Sequence, residues 1–193
     1  MILAQIVPDL TDPTALRSLM DARVTHTAIA KSFSGERVLW RIDGANILVQ
    51  ADDLTDPVSL SESLPGDVLT VDLDPHLASL TDGEQVTFRS TVVAMKSLRR
   101  EVPLRGEKVP LSREEDIRAW FDRQDIGLDV LGMSVRSLCK QSFRHGEEGV
   151  VTLAPHRIDG VARITDAEKV REAVVSGIGR ARAYGCGLLS IGR

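Results

Sequence analysis

The sequence predicts an α+β fold in which a βαββαβ pattern occurs twice, as in two tandem ferredoxin-like domains with antiparallel sheets. Short apolar or alternating runs typical of strands recur along all 193 residues. Helix-start signals separate these runs in both halves of the chain. With 42% hydrophobic residues, each half has enough apolar side chains for a core. We expect one domain at 1–95 and a second at 96–193.

The first half begins with the apolar run ILAQIV, a predicted strand. Asp12 followed by Pro13 is typical of a helix start, so a single helix is expected from there to about Phe33. The segment 52–66 is rich in Asp, Ser and Pro and is predicted to be a loop. The remaining predicted elements are strands at 36–43, 46–51, 68–74 and 84–93, and a short helix at 76–80.

The second half repeats this order. A strand is predicted at 108–111, and Ser112 with Glu115 forms a capping box for a helix over 113–123. Asp166 is expected to cap a helix that ends near Ser176. The other predicted elements are strands at 133–143, 149–155, 157–164 and 186–191.

The charge is distributed unevenly along the chain, although the net charge is only −4. Residues 1–85 carry five Lys or Arg against fourteen Asp or Glu, whereas residues 86–193 carry nineteen against fourteen. A basic half indicates an anionic partner, but two solvated surfaces would produce the same asymmetry. The start of the chain does not resemble a signal peptide, no apolar run is long enough to span a membrane, and the two cysteines are expected to be reduced thiols in a cytoplasmic protein.

The C-terminal stretch GIGRARAYGCGLLSIGR combines a glycine-rich loop with positive charge. A dinucleotide-binding motif would need glycine at position 182 and would lead from a strand into a helix, whereas here a helix leads into a strand. A loop of this kind can place backbone N–H groups and cations along phosphates, or it can be a helix cap followed by a tight turn. The residues predicted to bind phosphate are Gly177, Gly179, Arg180, Arg182, Gly185 and Gly187.

The first helix carries a histidine on its apolar stripe. The stripe has spacings of three and four and consists of Leu19, Ala22, His26, Ile29 and Phe33. A histidine in this position is either a core or interface residue, or a general acid/base at the edge of the stripe with the cations Arg23 and Lys31 beside it.

Basic residues cluster again around 95–111, where a hairpin arm is predicted with Arg105 and Gly106 at its tip. Such an arm can contact a nucleic-acid groove, although a solvated linker carries similar charge. The residues are Lys96, Arg99, Arg100, Arg105 and Lys108, with a weaker cluster at Lys140 and Arg144. His, Cys and carboxylate residues show no metal-ligand spacing, so no metal is expected.

Taken together, these residues resemble the CasE family of CRISPR-associated endoribonucleases, which process repeat RNA in subtype I-E Cascade. The similarity extends over essentially the whole chain and is strongest in the glycine-rich C-terminus. The stretches that carry it are GIGRARAYGCGLLSI, the helix with His26, VLWRID, ILVQ, TFR with the following MK, and REEDIRAWFDR.

The resemblance implies cleavage of a CRISPR repeat hairpin without a metal or small-molecule cofactor. In the family, the 2′-hydroxyl attacks the scissile phosphate and leaves a 2′,3′-cyclic phosphate, and the enzyme stays in Cascade with the other subunits. His26 matches the catalytic histidine and Lys31 a nearby cation. The family usually has a tyrosine where this chain has Arg23, so an RNA-binding subunit with weak or no cleavage is the alternative. A small-molecule-binding regulatory domain is a further alternative that the basic arm argues against.

Overall fold

The computed structural model of the protein describes residues 1–97, 108–144 and 150–193. Among these residues, no helix is long and apolar enough to cross a membrane. The strands are β1 (Ile2–Pro8), β2 (Phe33–Ser34), β3 (Leu39–Asp43), β4 (Asn46–Ala51), β5 (Asp53–Leu54), β6 (Gly66–Asp72), β7 (Gln85–Val92), β8 (Met95–Ser97), β9 (Lys108–Pro110), β10 (Leu128–Ser137), β11 (Gln141–Arg144), β12 (Val150–Leu153), β13 (His156–Ile164) and β14 (Leu189–Gly192). The helices are α1 (Pro13–Met20), α2 (Ala22–Ser32), α3 (Pro57–Ser63), α4 (Asp74–Ala78), α5 (Glu114–Asp122) and α6 (Ala167–Ser176), with a 3₁₀ turn at Arg182–Tyr184.

The first sheet has the strand order β3-β4-β1-β6, and all its neighbouring strands are antiparallel. This order is the ferredoxin-like one, because the first strand lies between the third and the fourth. Alternate strand residues such as Ile6 and Val49 form a core with Ile29 of α2 and Leu60 of α3. The helices therefore cover one face of the sheet, as the sequence predicts.

The second sheet repeats this arrangement with the order β10-β13-β7-β14, again entirely antiparallel. Helices α5 and α6 supply Ile117 and Val170 to its core. Phe88 of β7 stacks on Phe121 of α5, with ring centroids 5.1 Å apart. The prediction of two successive ferredoxin-like units is confirmed.

The strand at 84–93 belongs to a different unit from the one predicted. It is β7, which pairs with β13 and β14 and is the first strand of the second sheet. The predicted boundary at residue 95 therefore falls after the second sheet has begun. Sequence order alone does not distinguish a last strand from a first one, because the partners of β7 lie far along the chain.

The predicted single helix from Pro13 to Phe33 is wrong, because two helices meet at Asp21. Asp21 has extended backbone angles (φ −124°, ψ 105°), and its carboxylate accepts a hydrogen bond from the Arg23 N–H at 2.9 Å. An aspartate that caps an N-terminus in this way starts a new helix. As a consequence, Arg23 lies in the first turn of α2.

Two smaller predictions in the helical regions are also wrong. Part of the expected loop at 52–66 is helix α3, which starts at Pro57. Asp56 is its N-cap, and the Asp56 carboxylate accepts a hydrogen bond from the Ser59 N–H. The signal is the same Asp-Pro pair that starts α1. The capping box expected from Ser112 and Glu115 is not formed. The N-cap residue of α5 is Arg113, and no side chain caps this helix end with a hydrogen bond.

Two hairpins extend the second unit. In the first, β8 pairs with β9, so the strand predicted at 108–111 is part of an arm and does not belong to the main sheet. In the second, β11 pairs with β12. The strand predicted over 133–143 is divided, because β10 ends at Ser137 and β11 begins at Gln141.

Candidate nucleic-acid interface

Helix α2 carries the three residues predicted to be catalytic. Ile29 of the apolar stripe is fully buried in the first core, whereas His26, one turn earlier, is half-buried. Arg23 and Lys31 lie in solvent on either side of it along the helix. His26 is therefore at the edge of the stripe, where an imidazole is close to the core and still accessible to a substrate.

The glycine-rich loop packs against this helix. Its 3₁₀ turn, Arg182–Tyr184, contacts both α2 and β3. The loop thus joins the end of the second unit to the face of the first unit that carries His26. Two of the sequence-predicted groups, the histidine helix and the glycine-rich loop, are neighbours in the structure.

The glycines of this loop allow it to pack closely on β3. Gly185 has φ +75°, and a Cβ added to it would lie 2.9 Å from the Trp40 ring. Gly177 has φ +69°, and a Cβ there would lie 2.8 Å from the Leu39 side chain. Only glycine accepts both the left-handed backbone and so close a neighbour. The interpretation of these glycines as a helix end and a tight turn therefore has a direct structural basis.

Backbone hydrogen bonds hold the same loop in place. The Ile178 N–H donates to Gly187 O at 2.8 Å, and the Gly187 N–H donates to Thr91 O of β7 at 2.7 Å. Because the Gly187 N–H already has this partner, it is not available to a phosphate in this arrangement. Binding of phosphate by Gly177, Gly179, Gly185 and Gly187 stays a prediction, and their packing role is observed.

The two arginines of the loop differ. Arg182 is half-buried and donates from Nη2 to Gly177 O at 3.0 Å, and burial followed by the charge of Arg37 lowers its pKa. Arg180 is exposed. Both arginines line a cleft of about 380 Å³ that Lys96 of β8 also lines. The structure thus brings the start of the basic arm to the glycine-rich loop.

Other predicted residues of the arm are only partly described. Arg99, Arg100 and Arg105 lie outside the described residues. Lys108 is the first residue of β9 and pairs through its backbone with Ser97. The described ends of this segment form an antiparallel pair, which agrees with the predicted hairpin arm. In the second hairpin, Lys140 is exposed just before β11, which ends at Arg144.

A larger cleft of about 700 Å³ lies between the two units. Arg23 of α2 lines it from the first unit, and Lys140 lines it from the second. These two cations are far apart in sequence, and they were predicted for separate reasons. Arg157 of β13 lines the same cleft and was missed by the sequence analysis.

Arg157 belongs to an ion-pair network that the sequence analysis also missed. Its Nε donates to Asp159 at 2.7 Å, and Arg89 contacts both Asp159 and Asp43. Arg41 donates to Asp43 at 3.2 Å. Burial acts to raise the pKa of Asp43, but the hydrogen bond from Arg89 and the charge of Arg41 outweigh it and hold the pKa below its usual range. Asp43 is therefore ionised at neutral pH.

The network joins the two sheets, because Arg41 crosses between them. Arg41 is a residue of β3, yet its Nη1 donates to Ser190 Oγ of β14 at 2.9 Å and to Leu188 O at 3.4 Å. Burial lowers the pKa of this arginine. The signal in the sequence is that Arg41 alternates with Leu39 and Asp43 in β3, so the three residues share the strand face that contacts the second unit.

Comparisons with known proteins agree with this architecture. A family model described as CRISPR associated protein matches residues 1–193. Compared by sequence with curated proteins, the chain has no significant match. Among solved structures, CRISPR endoribonuclease Cse3 bound to a 19-nucleotide RNA is 25% identical, with 100% of both chains covered and a TM-score of 0.83.

Two further structures have the same fold over their whole length. A chain of a CRISPR RNA-guided surveillance complex in the pre-nicking state is 26% identical, with 100% of this chain and 99% of that one covered and a TM-score of 0.70. Cas6e from Escherichia coli K-12 is 22% identical, with 100% and 99% covered and a TM-score of 0.77. The family match over the whole chain and the fold shared with Cse3 confirm the resemblance found in the sequence, and the chain belongs to the family of CRISPR-associated proteins.

Proposed function

We propose that this protein is an endoribonuclease that cleaves the repeat stem-loop of precursor CRISPR RNA and stays bound to the mature guide RNA as a Cascade subunit. The observation that carries the proposal is the likeness to Cse3 bound to RNA over the full length of both chains, since the shared part includes the histidine helix and the glycine-rich loop. The likeness to a chain of a surveillance complex supports the role as a subunit. We place the protein in the cytoplasm with its RNA substrate.

The proposed reaction is a metal-independent transesterification within the RNA. The 2′-hydroxyl oxygen attacks the adjacent phosphorus, the bond from phosphorus to the 5′-oxygen breaks, and the products are a 2′,3′-cyclic phosphate and a 5′-hydroxyl. One proton leaves the 2′-hydroxyl, and one is delivered to the departing 5′-oxygen. A histidine serves both transfers, because its ordinary pKa is close to neutral.

The residues of α2 have distinct roles in this proposal. His26 is half-buried at the edge of the stripe and moves the protons. Lys31 lies in solvent beyond it and stabilises the negative charge of the transition state. Arg23 stays protonated and cannot act as a general base, so we assign it to the scissile phosphate.

The experiment is incubation of the protein with hairpin repeat RNA from its own host in EDTA. We expect cleavage at the 3′ base of the stem and the two product ends named above. His26→Ala should abolish cleavage and retain binding. Thr27→Ala is the matched control, since Thr27 is an exposed neighbour on the same helix. Cleavage by His26→Ala at the rate of the unmodified protein would show that His26 has another role.

The second candidate function is a structural RNA-binding subunit that cleaves weakly or not at all. The observation that favours it is Arg23, which occupies the position of the family's usual tyrosine and pairs with Asp21 at 3.4 Å. Tight binding of the hairpin without cleavage in the same assay would select this function. Loss of both binding and cleavage would reject both functions.

A further inference from the structure

The cleft of about 700 Å³ between the two units has an unusual mixture of side chains. Three cations, Arg23, Lys140 and Arg157, line it together with apolar side chains. Met20 is 87% exposed at the end of α1, and Leu138 is exposed on the other side, after β10. Because Met20 and Leu138 line one concave site from the two units, they offer apolar contact to a ligand bound there, which a single exposed side chain does not.

The charge of the cleft indicates an anionic ligand. Asp21 is the acidic residue among those that line it, and its carboxylate already accepts from the Arg23 N–H. Arg157 donates to Asp159 at 2.7 Å and lies 3.7 Å from Asp43, and these two contacts fix its guanidinium before a ligand arrives. The lining therefore carries more positive than negative charge, and part of it is pre-organised.

The cleft is close to the proposed reaction centre. His26 follows Arg23 by three residues on α2, a rise of about 5 Å along the helix axis. An RNA whose scissile phosphate lies at His26 therefore enters or leaves beside this cleft. A volume of this size is in the range of ligand sites.

An unpaired nucleotide has the chemistry that this lining requires. Its phosphate pairs with Arg or Lys, and its exposed base needs apolar contacts or a guanidinium plane for stacking. A base-paired stem offers phosphates but keeps its base faces inside the stack. We propose that this cleft binds unpaired nucleotides that flank the repeat stem, with Met20 and Leu138 against the bases and Lys140 and Arg157 at the phosphates. The inference rests on the proposed function and adds a substrate subsite to it.

The first test compares four RNAs that share one stem and differ in their unpaired flanks: both flanks, the 5′ flank only, the 3′ flank only, and none. A 2′-deoxy nucleotide at the cut site prevents cleavage. We expect the RNA with the flank that enters the cleft to bind about tenfold more tightly than the bare stem. The two single-flank RNAs identify which flank it is.

The variant Met20→Glu tests the residues involved. It removes the apolar contact and brings a carboxylate to the phosphates. The affinity for flanked RNA should therefore exceed the affinity for the bare stem by about twofold or less. Leu69→Glu on β6 is the matched control, since Leu69 is also an exposed apolar residue, at 62%, and does not line this cleft. For Leu69→Glu, the affinity ratio between flanked RNA and bare stem should remain about tenfold.

Cys139 gives a readout that does not depend on affinity. It is an exposed thiol that lines the cleft, whereas Cys186 is buried. We expect flanked RNA to slow the reaction of Cys139 with a thiol reagent by about fivefold or more relative to bare stem, because stacked bases cover the cleft. Equal protection by both RNAs, with hairpin binding intact, overturns the inference and leaves the proposed function standing.

Two other outcomes also decide the question. Failure to bind any of the four RNAs contradicts the proposed function and this inference with it. Protection of Cys139 by another Cascade subunit, but not by flanked RNA, assigns the cleft to a protein partner and overturns the inference alone.

Discussion

The guanidinium of Arg89 donates from Nη1 to both carboxylate oxygens of Asp43 at 3.0 Å, and this contact connects β7 of the second sheet to β3 of the first. Asp43 also accepts from the buried Arg41. Arg157 lies 3.7 Å from Asp43 as a third partner, so this carboxylate pairs with arginines from both units. Asp43 is therefore one of the residues that hold the two sheets together, with Arg41 and with Gln50, whose side chain donates to Val174 O at 2.8 Å.

We expect Asp43→Asn to lower the free energy of unfolding by about 2 kcal/mol, because it leaves the charge of buried Arg41 without its carboxylate. Urea or thermal unfolding measures the change. Asp67→Asn is the control, since Asp67 is an exposed residue of β6, and its effect should stay within about 0.5 kcal/mol. Equal effects of the two substitutions would show that the network contributes little to stability.

Gly185→Ala tests the packing of the glycine-rich loop. The new Cβ would be strained by φ +75° and would meet the Trp40 ring at 2.9 Å, so we expect a loss of about 2–3 kcal/mol in unfolding free energy. Gly44→Ala separates the two causes, because Gly44 has φ +67° but nothing within 4 Å of an added Cβ. It should cost about 1 kcal/mol. If both variants lose the same free energy of unfolding, the contact with Trp40 does not contribute to the effect of Gly185→Ala.

We expect the free energy of unfolding to decrease in mild acid because His156 is buried in the folded protein. The side chain is buried, and this burial lowers its pKa from the ordinary value of 6.5. As the pH falls below 6.5, the unfolded chain takes up a proton at His156 that the folded protein does not, so the stability decreases. The contribution is at most about 1.4 kcal/mol per pH unit. It is present above pH 6.5 and is lost as the pH falls toward the lower, folded-state pKa.

The measurement is urea unfolding of the natural protein and of His156→Gln at pH 8 and at pH 5.5. The variant has no titrating group at this position, so its stability should change less between the two pH values. An identical change in both proteins would assign the acid sensitivity to other groups.

Arg23→Tyr tests why the family usually has a tyrosine at this position. A tyrosine in the first turn of α2 could take part in proton transfer, which Arg23 cannot, so we expect single-turnover cleavage to increase at least about tenfold. Arg23→Ala is the control, since it removes the guanidinium without adding a hydroxyl. A rate for Arg23→Tyr below that of the natural protein would mean that the guanidinium contributes more to catalysis than a tyrosine would.

Local sequence patterns predicted much of the fold because their causes are local. The Asp166 cap of α6 and the apolar stripe around Ile29 depend only on neighbouring residues, and the structure has both. The break at Asp21 was not predicted, because an aspartate within a helical pattern is equally compatible with a continuous exposed face. Helix α3 was missed although its Asp-Pro signal was visible.

The sequence predicted residues of the candidate site but not which of them lie next to each other in space. The sequence by itself determined two ferredoxin-like units, a histidine on an apolar stripe, a basic second half and the resemblance to CasE proteins. Only the tertiary structure decided that β7 belongs to the second sheet, that Arg41 and Asp43 join the two units, and that Arg23 and Lys140 line one cleft. The physical reason is that these contacts join residues far apart in the chain, and their geometry follows from how the two sheets pack on each other.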